Sequence, residues 1–370
     1  MDLPGERNRT VSLGKQRIPL AGHPARRIAL LKPSALGDII HSLPVLTALR
    51  RRYPDAHITW IVNRAYEPLL NGHPHLNATL PFDRGVARKG WLRAAKAYGG
   101  FLAELRRQRF DLVLDLQGLL RSGLICMATG ATRRVGLSTS REGARWFYTD
   151  VVPVPDFNAL HAVDRYWLIA EALGAGKLPK SFVLPESEEA RAWALEKLQG
   201  CARPWLMAAV GSRWMTKRWP PAHFAALLNH AQERFGGTAV FVGGGGDRSI
   251  AGQTATQLSG AFRDLTGTTS LPQLAAVLAL ADVMLANDTG PLHLAAALGR
   301  PIVAPYTCTK IQLNGPYGAE AGARETKVWC QGSYLKRCSR LECMAELTPG
   351  RLQPILQEIL QTWQRRCRSA

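Results

Sequence analysis

Ile28-Ala29-Leu30-Leu31-Lys32-Pro33-Ser34-Ala35-Leu36-Gly37-Asp38 is the stretch whose reading decides the fold. A short apolar run ends at Lys32, and Pro33, Ser34 and Gly37 mark a turn. From about Ile39 the apolar residues recur at helical spacing, at Ile40, Leu43, Leu46 and Leu49. Strand, tight loop and helix in that order open a βαβ unit. Ligands of open α/β sheets bind outside the carboxyl ends of the strands. Asp38 is therefore expected at a helix start in the ligand crevice. A carboxylate there can cap the helix, or accept a proton from an attacking hydroxyl. The residues alone leave both readings open.

Outward from this stretch the rhythm repeats. Strands are expected at His57–Val62, Thr79–Phe82, Asp111–Asp115 and Arg134–Gly136. A short helix is expected over Asn63–Leu70, an amphipathic one ending near Arg109, and another from about Leu160 to Leu173. Gly174 to Pro185, rich in Gly, Pro and Lys, reads as a linker. The pattern then restarts with a helix at Glu188–Leu198 and strands at Trp205–Val210, Thr238–Val242, Phe262–Leu265, Val283–Ala286 and Pro301–Ala304. Helices are expected at Pro221–Phe235, Leu271–Leu280, Leu292–Leu298 and Pro349–Arg366. Such alternation predicts an α/β chain built on parallel sheets with both faces covered. The expected organisation is a flexible basic leader over 1–25, one doubly wound domain over 26–180, a second over 181–348, and a terminal helix over 349–370.

The 370 residues exceed what one core usually organises. A formal net charge of +19 calls for an anionic partner, although a solvated basic surface is the plain alternative. Seven widely spaced cysteines argue against a disulfide framework and for a reducing, cytoplasmic compartment. No run is long and apolar enough for a membrane span, and residues 1–24 lack a signal-peptide core.

Chemistry concentrates in a few loops. Ala286-Asn287-Asp288-Thr289-Gly290-Pro291-Leu292-His293 turns from a strand into a helix whose free N–H groups suit a diphosphate, with His293 one turn in. Gly211-Ser212-Arg213-Trp214-Met215-Thr216-Lys217-Arg218-Trp219-Pro220 follows another strand. Lys217 there can neutralise a departing phosphate, while Trp214 and Trp219 can simply pack. Gly243 and Gly244 open a four-glycine loop ending at Asp247, which either lets a nucleotide approach the backbone or is only a tight turn. In the first half Gln117 and Arg121, Arg141 and Glu142, and His161 and Arg165 join Arg84, Arg88 and Lys89 as a cationic set for an acidic acceptor. Cys330, Cys338 and Cys343 do not match a structural zinc pattern and read as packing or redox-inert thiols, with zinc as the lesser alternative. Walker A, nucleophile-elbow, dinucleotide-fingerprint and Asp-x-Asp motifs are all absent. Two halves without an Asp-x-Asp pair point to diphosphate stabilisation by a helix dipole and side chains.

As an ordered set these motifs resemble glycosyltransferase family 9, the ADP-heptose:lipopolysaccharide heptosyltransferases. The likeness is carried by Lys32-Pro33-Ser34-Ala35-Leu36-Gly37-Asp38, Asp115-Leu116-Gln117-Gly118-Leu119 with Arg121-Ser122, His161 and Arg165, Lys217-Arg218-Trp219-Pro220, and Asp288-Thr289-Gly290-Pro291-Leu292-His293. It runs from about Arg27 to Leu352; Tyr306-Thr307-Cys308-Thr309 departs from the family's usual Gly-Pro-Thr-containing stretch. The resemblance implies the GT-B architecture, two Rossmann-like domains facing across a cleft, and inverting transfer with no cofactor and no obligate metal. It implies Asp38 as general base. The donor, an ADP-sugar, would be held by Ser212, Thr216, Lys217, Gly243, Gly244, Asp288, Thr289, Gly290 and His293. The acceptor, an anionic inner-core glycolipid, would meet Arg84, Arg88, Lys89, Gln117, Arg121, Arg141, His161 and Arg165. A basic face could also ride the cytoplasmic surface of the inner membrane. Two readings of other classes compete: a non-catalytic binder of nucleotide sugars or nucleic acid, and a sugar-nucleotide epimerase. Nucleic acid is not expected, because no strand interleaves aromatic and basic residues.

Overall fold

The structure is a computed structural model describing residues 19–83 and 91–369. In the first half, strands β1 (Arg27–Leu31), β2 (His57–Asn63), β3 (Ala78–Phe82), β4 (Leu112–Asp115), β5 (Arg133–Leu137) and β6 (Asp150–Val152) form one parallel sheet in the order β3-β2-β1-β4-β5-β6. Helices α1 (Leu36–Arg52), α2 (Trp91–Arg107), α3 (Leu120–Ala128) and α4 (Ala162–Ala172) connect or follow these strands. The second half repeats the plan with β7 (Trp205–Ala209), β8 (Thr238–Phe241), β9 (Phe262–Asp264), β10 (Val283–Ala286), β11 (Ile302–Tyr306) and β12 (Ala323–Glu325), ordered β12-β11-β10-β7-β8-β9. Its helices are α5 (Glu188–Leu198), α6 (Pro221–Phe235), α7 (Arg248–Ala255), α8 (Leu271–Ala279), α9 (Gly290–Ala297), α10 (Ile311–Asn314), α11 (Glu342–Glu346) and α12 (Gln353–Ser369).

The two doubly wound sheets expected from the alternating pattern are both present. Central strands are buried on both faces, as continuous apolar runs in parallel sheets should be: Ile28 to Leu31 and Val283 to Ala286 have no exposure. α1 and α4 cover one face of the first sheet, and α2 and α3 the other. Three details differ from the sequence reading. α1 starts at Leu36 rather than Ile39, because Ala35 takes extended backbone and Asp38 sits at the third helical position. Asn63–Leu70 contains only a 3-10 turn at Glu67–Leu70. The tail divides into a 3-10 turn at Pro349–Arg351 and then α12, whose buried Leu356 and Leu360 join the second core. Among the described residues no helix is long and apolar enough to cross a membrane.

The halves meet through α1 and α9. Two glycines make that approach possible. A Cβ on Gly37 would lie 2.7 Å from His293 Cδ2, and one on Gly290 would lie 2.6 Å from Leu36 Cδ2. Away from these helices Asp164 Oδ1 accepts from Tyr317 Oη at 2.7 Å and from Lys180 Nζ at 2.5 Å, tying α4, the linker and the second half together.

Candidate active site

Each sheet reverses its order once, between β1 and β4 and between β7 and β10. Such a reversal opens a crevice at the carboxyl ends of the two central strands. The loop after β1 carries Asp38, and the loop after β4 carries Gln117. The loop after β7 carries Lys217, and the loop after β10 carries Asp288. The four chemistry-bearing loops are thus set by topology.

The capping reading of Asp38 is met. Its Oδ2 accepts from the Ala35 N–H at 3.1 Å and so caps α1. Its Oδ1 accepts from Tyr166 Oη at 3.2 Å and lies 3.7 Å from Lys32 Nζ. The carboxylate side chain is still 40% exposed, and it faces a cavity. Lys32 is buried and donates to Leu116 O at 3.0 Å and to Tyr166 Oη at 2.8 Å. Burial alone would lower the Lys32 ammonium, but Asp38 and Tyr166 outweigh it and raise it above its ordinary value. A buried cation, a phenol and a half-exposed carboxylate therefore form one hydrogen-bonded line.

The cavity beside Asp38 measures about 850 Å³ and lies between the halves. The first half contributes Lys32, Asp38, Gln117, Ser140, Arg141, Arg165 and Tyr166, among others. The second contributes Trp214, Leu313, Asn314, Tyr334 and Lys336. Gln117 Oε1 is buried there with no hydrogen-bond partner among the described residues, so a ligand hydroxyl would complete it. Arg165 stacks over Phe157 with its guanidinium carbon 4.4 Å from the ring centroid and donates to Leu160 O at 2.5 Å.

On the other side of the seam Asp288 is the hub. Its Oδ2 accepts from Lys217 Nζ at 2.6 Å and Thr309 Oγ1 at 2.7 Å, and its Oδ1 lies 3.1 Å from His293 Nε2. Burial would raise the Asp288 carboxyl, but Lys217 and His293 more than reverse this and hold it well below the usual carboxylate range. Because that carboxylate only accepts, His293 carries its proton on Nε2. Its Nδ1 lies 3.2 Å from His41 Nε2 across the seam. Asn287 pins the neighbouring loops: it donates to Val210 O at 2.8 Å and accepts from the Trp219 N–H at 3.1 Å.

Of the expected acceptor residues, Gln117, Arg141 and Arg165 line the cavity with Asp38. Arg121 lies on α3, exposed to solvent. His161 is buried in the seam, where its Nε2 lies 3.1 Å from Gly315 O. Arg84, Arg88 and Lys89 lie outside the described residues. Of the donor residues, Lys217, Asp288, Thr289, Gly290 and His293 converge at the start of α9. Ser212 is buried in the adjoining loop. Thr216 is committed elsewhere: buried, it donates to Leu335 O at 2.5 Å and holds the segment that carries Lys336. Gly243 and Gly244 cradle Asp247, whose Oδ2 accepts from the Gly244 N–H at 2.9 Å. Trp219 packs, with no exposure, whereas Trp214 faces the cavity between Lys217 and Lys336, 4.6 and 5.4 Å from its ring centroid. Sequence reading did not find Tyr166, His41, Tyr334 or Lys336. Tyr166 adjoins the singled-out Arg165 and His41 lies three residues past Asp38, so helical spacing was the available signal.

Cys343 is buried and pushed up to about 11 by burial and by the neighbouring thiols Cys330, Cys308 and Cys338. All seven cysteines are free. Among the described residues no three His, Cys, Asp or Glu side chains are grouped to hold a metal ion.

Likenesses to known proteins bear on this geometry. The family model described as glycosyltransferase family 9 (heptosyltransferase) matches residues 100–344. The chain is similar to lipopolysaccharide heptosyltransferase 1 of Pseudomonas aeruginosa, 33% identical over 300 residues, covering 79% of this chain and 81% of the relative. Among solved structures it is similar to a glycosyl transferase family 9 protein of Veillonella parvula, with TM-score 0.78 and 25% identity over 91% of this chain and 97% of that one. It is also similar to the E. coli ADP-heptose lipopolysaccharide heptosyltransferase II, with TM-score 0.70 and 26% identity over 91% of this chain and 99% of the other.

Proposed function

The chain belongs to glycosyltransferase family 9, and from that premise we propose that it transfers a heptose from an ADP-sugar to an acidic lipopolysaccharide inner-core acceptor. The observation that carries this reading is the pairing of unlike chemistries across one cleft. A half-exposed carboxylate, Asp38, lines it from one half, and Trp214 lines it from the other with the Lys217 ammonium 4.6 Å from its ring, beside the start of α9. The likeness to the E. coli ADP-heptose lipopolysaccharide heptosyltransferase II supports the donor.

In the proposed reaction Asp38 takes the proton from the acceptor hydroxyl as its oxygen attacks the anomeric carbon. The bond from that carbon to the diphosphate oxygen breaks, and ADP leaves from the opposite face, so the anomeric configuration inverts. Tyr166 and the Ala35 N–H each hold one Asp38 oxygen, which fixes the carboxylate's plane. Lys217 and the N–H groups of Thr289 and Gly290 meet the departing charge, with no metal required. Asp288 and His293 act behind them: Asp288 aims Lys217, and His293 fixes Asp288. Arg141 and Arg165 meet acceptor phosphates or carboxylates, which guanidinium groups bind in pairs of hydrogen bonds.

The test is ADP release from ADP-heptose with a delipidated inner-core acceptor. Release should depend on the acceptor, which separates transfer from epimerisation. Asp38→Asn should lower kcat by at least about a hundredfold while ADP affinity stays within about twofold. Near-normal turnover in that variant refutes the base, and release without acceptor refutes the transfer.

A further inference from the structure

α1 carries a further polar side chain into the seam, apart from the groups that the reaction uses. His41 stands one turn after Asp38 and is the one titratable side chain among the buried residues Ile39–Leu49 of α1. Only 4% of it is exposed. A buried imidazole is costly unless its nitrogens are met. His41 Nε2 is met from the second half: it lies 3.2 Å from His293 Nδ1, with the two ring centroids 4.5 Å apart and the planes at 72°. Gly37, four residues earlier on the same face of α1, lies against the same ring, so close that a Cβ there would stand 2.7 Å from His293 Cδ2. α1 therefore fixes the His293 ring twice, by a polar contact and by close packing.

His161 is the third ring of this group, with its centroid 5.1 Å from that of His41. It does not compete for the contact, because both of its nitrogens are committed. Its Nδ1 accepts from the Val163 N–H at 3.1 Å, and its Nε2 donates to Gly315 O at 3.1 Å. Beyond His293 the line of contacts runs on into the chemistry of the second half. His293 Nε2 lies 3.1 Å from Asp288 Oδ1, and Asp288 Oδ2 accepts from Lys217 Nζ at 2.6 Å. A carboxylate held by an imidazole at one oxygen and by an ammonium at the other passes the orientation of the ring on to the cation. His41 touches none of the reacting groups, so its reach is through His293.

We propose that His41 is a positioning residue for transfer: by holding the His293 ring across the seam it sets the Asp288–Lys217 pair, and so ties the helix that carries Asp38 to the cation that receives the departing charge. This rests on the reading of the site as a transferase centre, and it adds the link between the two sides of that centre. Proton removal beside α1 and departure of the diphosphate beside α9 are then kept in one register by side-chain contacts.

The test compares His41→Gln with His41→Leu. Glutamine puts an amide near the position of Nε2 and can meet His293 Nδ1 as donor or acceptor. Leucine fills similar space with no polar atom. ADP release from ADP-heptose is followed with the delipidated acceptor. His41→Leu should lower kcat at least about tenfold with acceptor KM within about twofold, and His41→Gln should restore kcat to within about threefold of wild type. In a His293→Leu background His41→Leu should cost less than about twofold more, because the two rings act as one unit. Melting temperatures should not follow that ranking, since a buried leucine is at least as stable there as a glutamine; a His41 that only packs would leave the leucine variant the more active. The contact itself is read with no sugar present, from nitrogen-15 spectra of protein labelled at its histidine rings. The His293 signals, identified by their loss in His293→Leu, should shift in His41→Leu and return toward wild-type positions in His41→Gln. Wild-type kcat in His41→Leu overturns the proposal alone, as do full additivity of the two leucine substitutions and unmoved His293 signals. A wild type that releases no ADP overturns the transferase reading, and the proposal with it.

Discussion

Asp38 shows how much one carboxylate can be asked to do. One oxygen closes the first turn of α1, and the other is held by Tyr166, which in the proposed reaction turns it toward the substrate hydroxyl. Tyr166→Phe keeps the ring and removes only the hydroxyl that joins Asp38 to Lys32. We expect kcat to fall about tenfold in this variant with acceptor KM nearly unchanged, because orientation rather than binding is lost; steady-state kinetics on the delipidated acceptor checks it. An unchanged kcat would show that the phenol only packs. Asp38 and Lys217 were legible in the sequence because each closes a loop after a recognisable strand. Tyr166 was not, since it reaches Lys32 from 134 positions away and only the folded sheet brings them together. Thr216 was placed by sequence for a related reason. Its hydroxyl stands beside Lys217 in sequence, but its donor is spent on the Leu335 carbonyl.

At the level of elements, long and strongly patterned segments were readable and short ones were not. α6 runs over Pro221–Phe235 and β10 over Val283–Ala286, the limits their apolar patterns indicate. β6, β12 and α7 escaped notice: two are three-residue edge strands, and α7 spans eight residues with a glycine inside. Such pieces owe their form to the neighbour they lie against rather than to their own periodicity. The segment from Tyr334 to Lys336 is likewise unpatterned, yet it is firmly tied. The Tyr334 N–H donates to Cys308 O, Tyr334 Oη donates to Asn314 Oδ1 at 2.7 Å, and Leu335 O takes the Thr216 hydroxyl. This strap carries a cation of the second half, Lys336, into the cavity beside Asp38. Lys336→Ala should raise acceptor KM about fivefold and leave kcat within about twofold, the signature of lost uniform binding. Equal KM values for variant and wild type would place Lys336 outside the acceptor's reach.

Across the whole molecule, burial keeps two histidines of the seam, His41 and His161, neutral. Burial, followed by the charge of neighbouring groups, pushes His161 down to about 4 and His41 well below 6.5; His73, which contacts the linker at Val183 O, is also lowered to about 4. In the unfolded chain these side chains titrate near 6.5. Between 6.5 and about 4 the unfolded state therefore binds more protons than the folded one, and stability rises with pH in that window. The contribution is complete above 6.5 and is lost as pH falls toward 4. Melting temperature measured by scanning calorimetry should drop steadily over that interval, and His161→Asn should flatten the slope. A melting temperature that stays level would mean that the seam admits water and protons freely. The joint between the halves has one more property. Because Gly37 and Gly290 each leave a notch that a side chain of the opposite helix fills, α1 and α9 mesh along that line, and a methyl group at either position would act as a wedge driven between the halves.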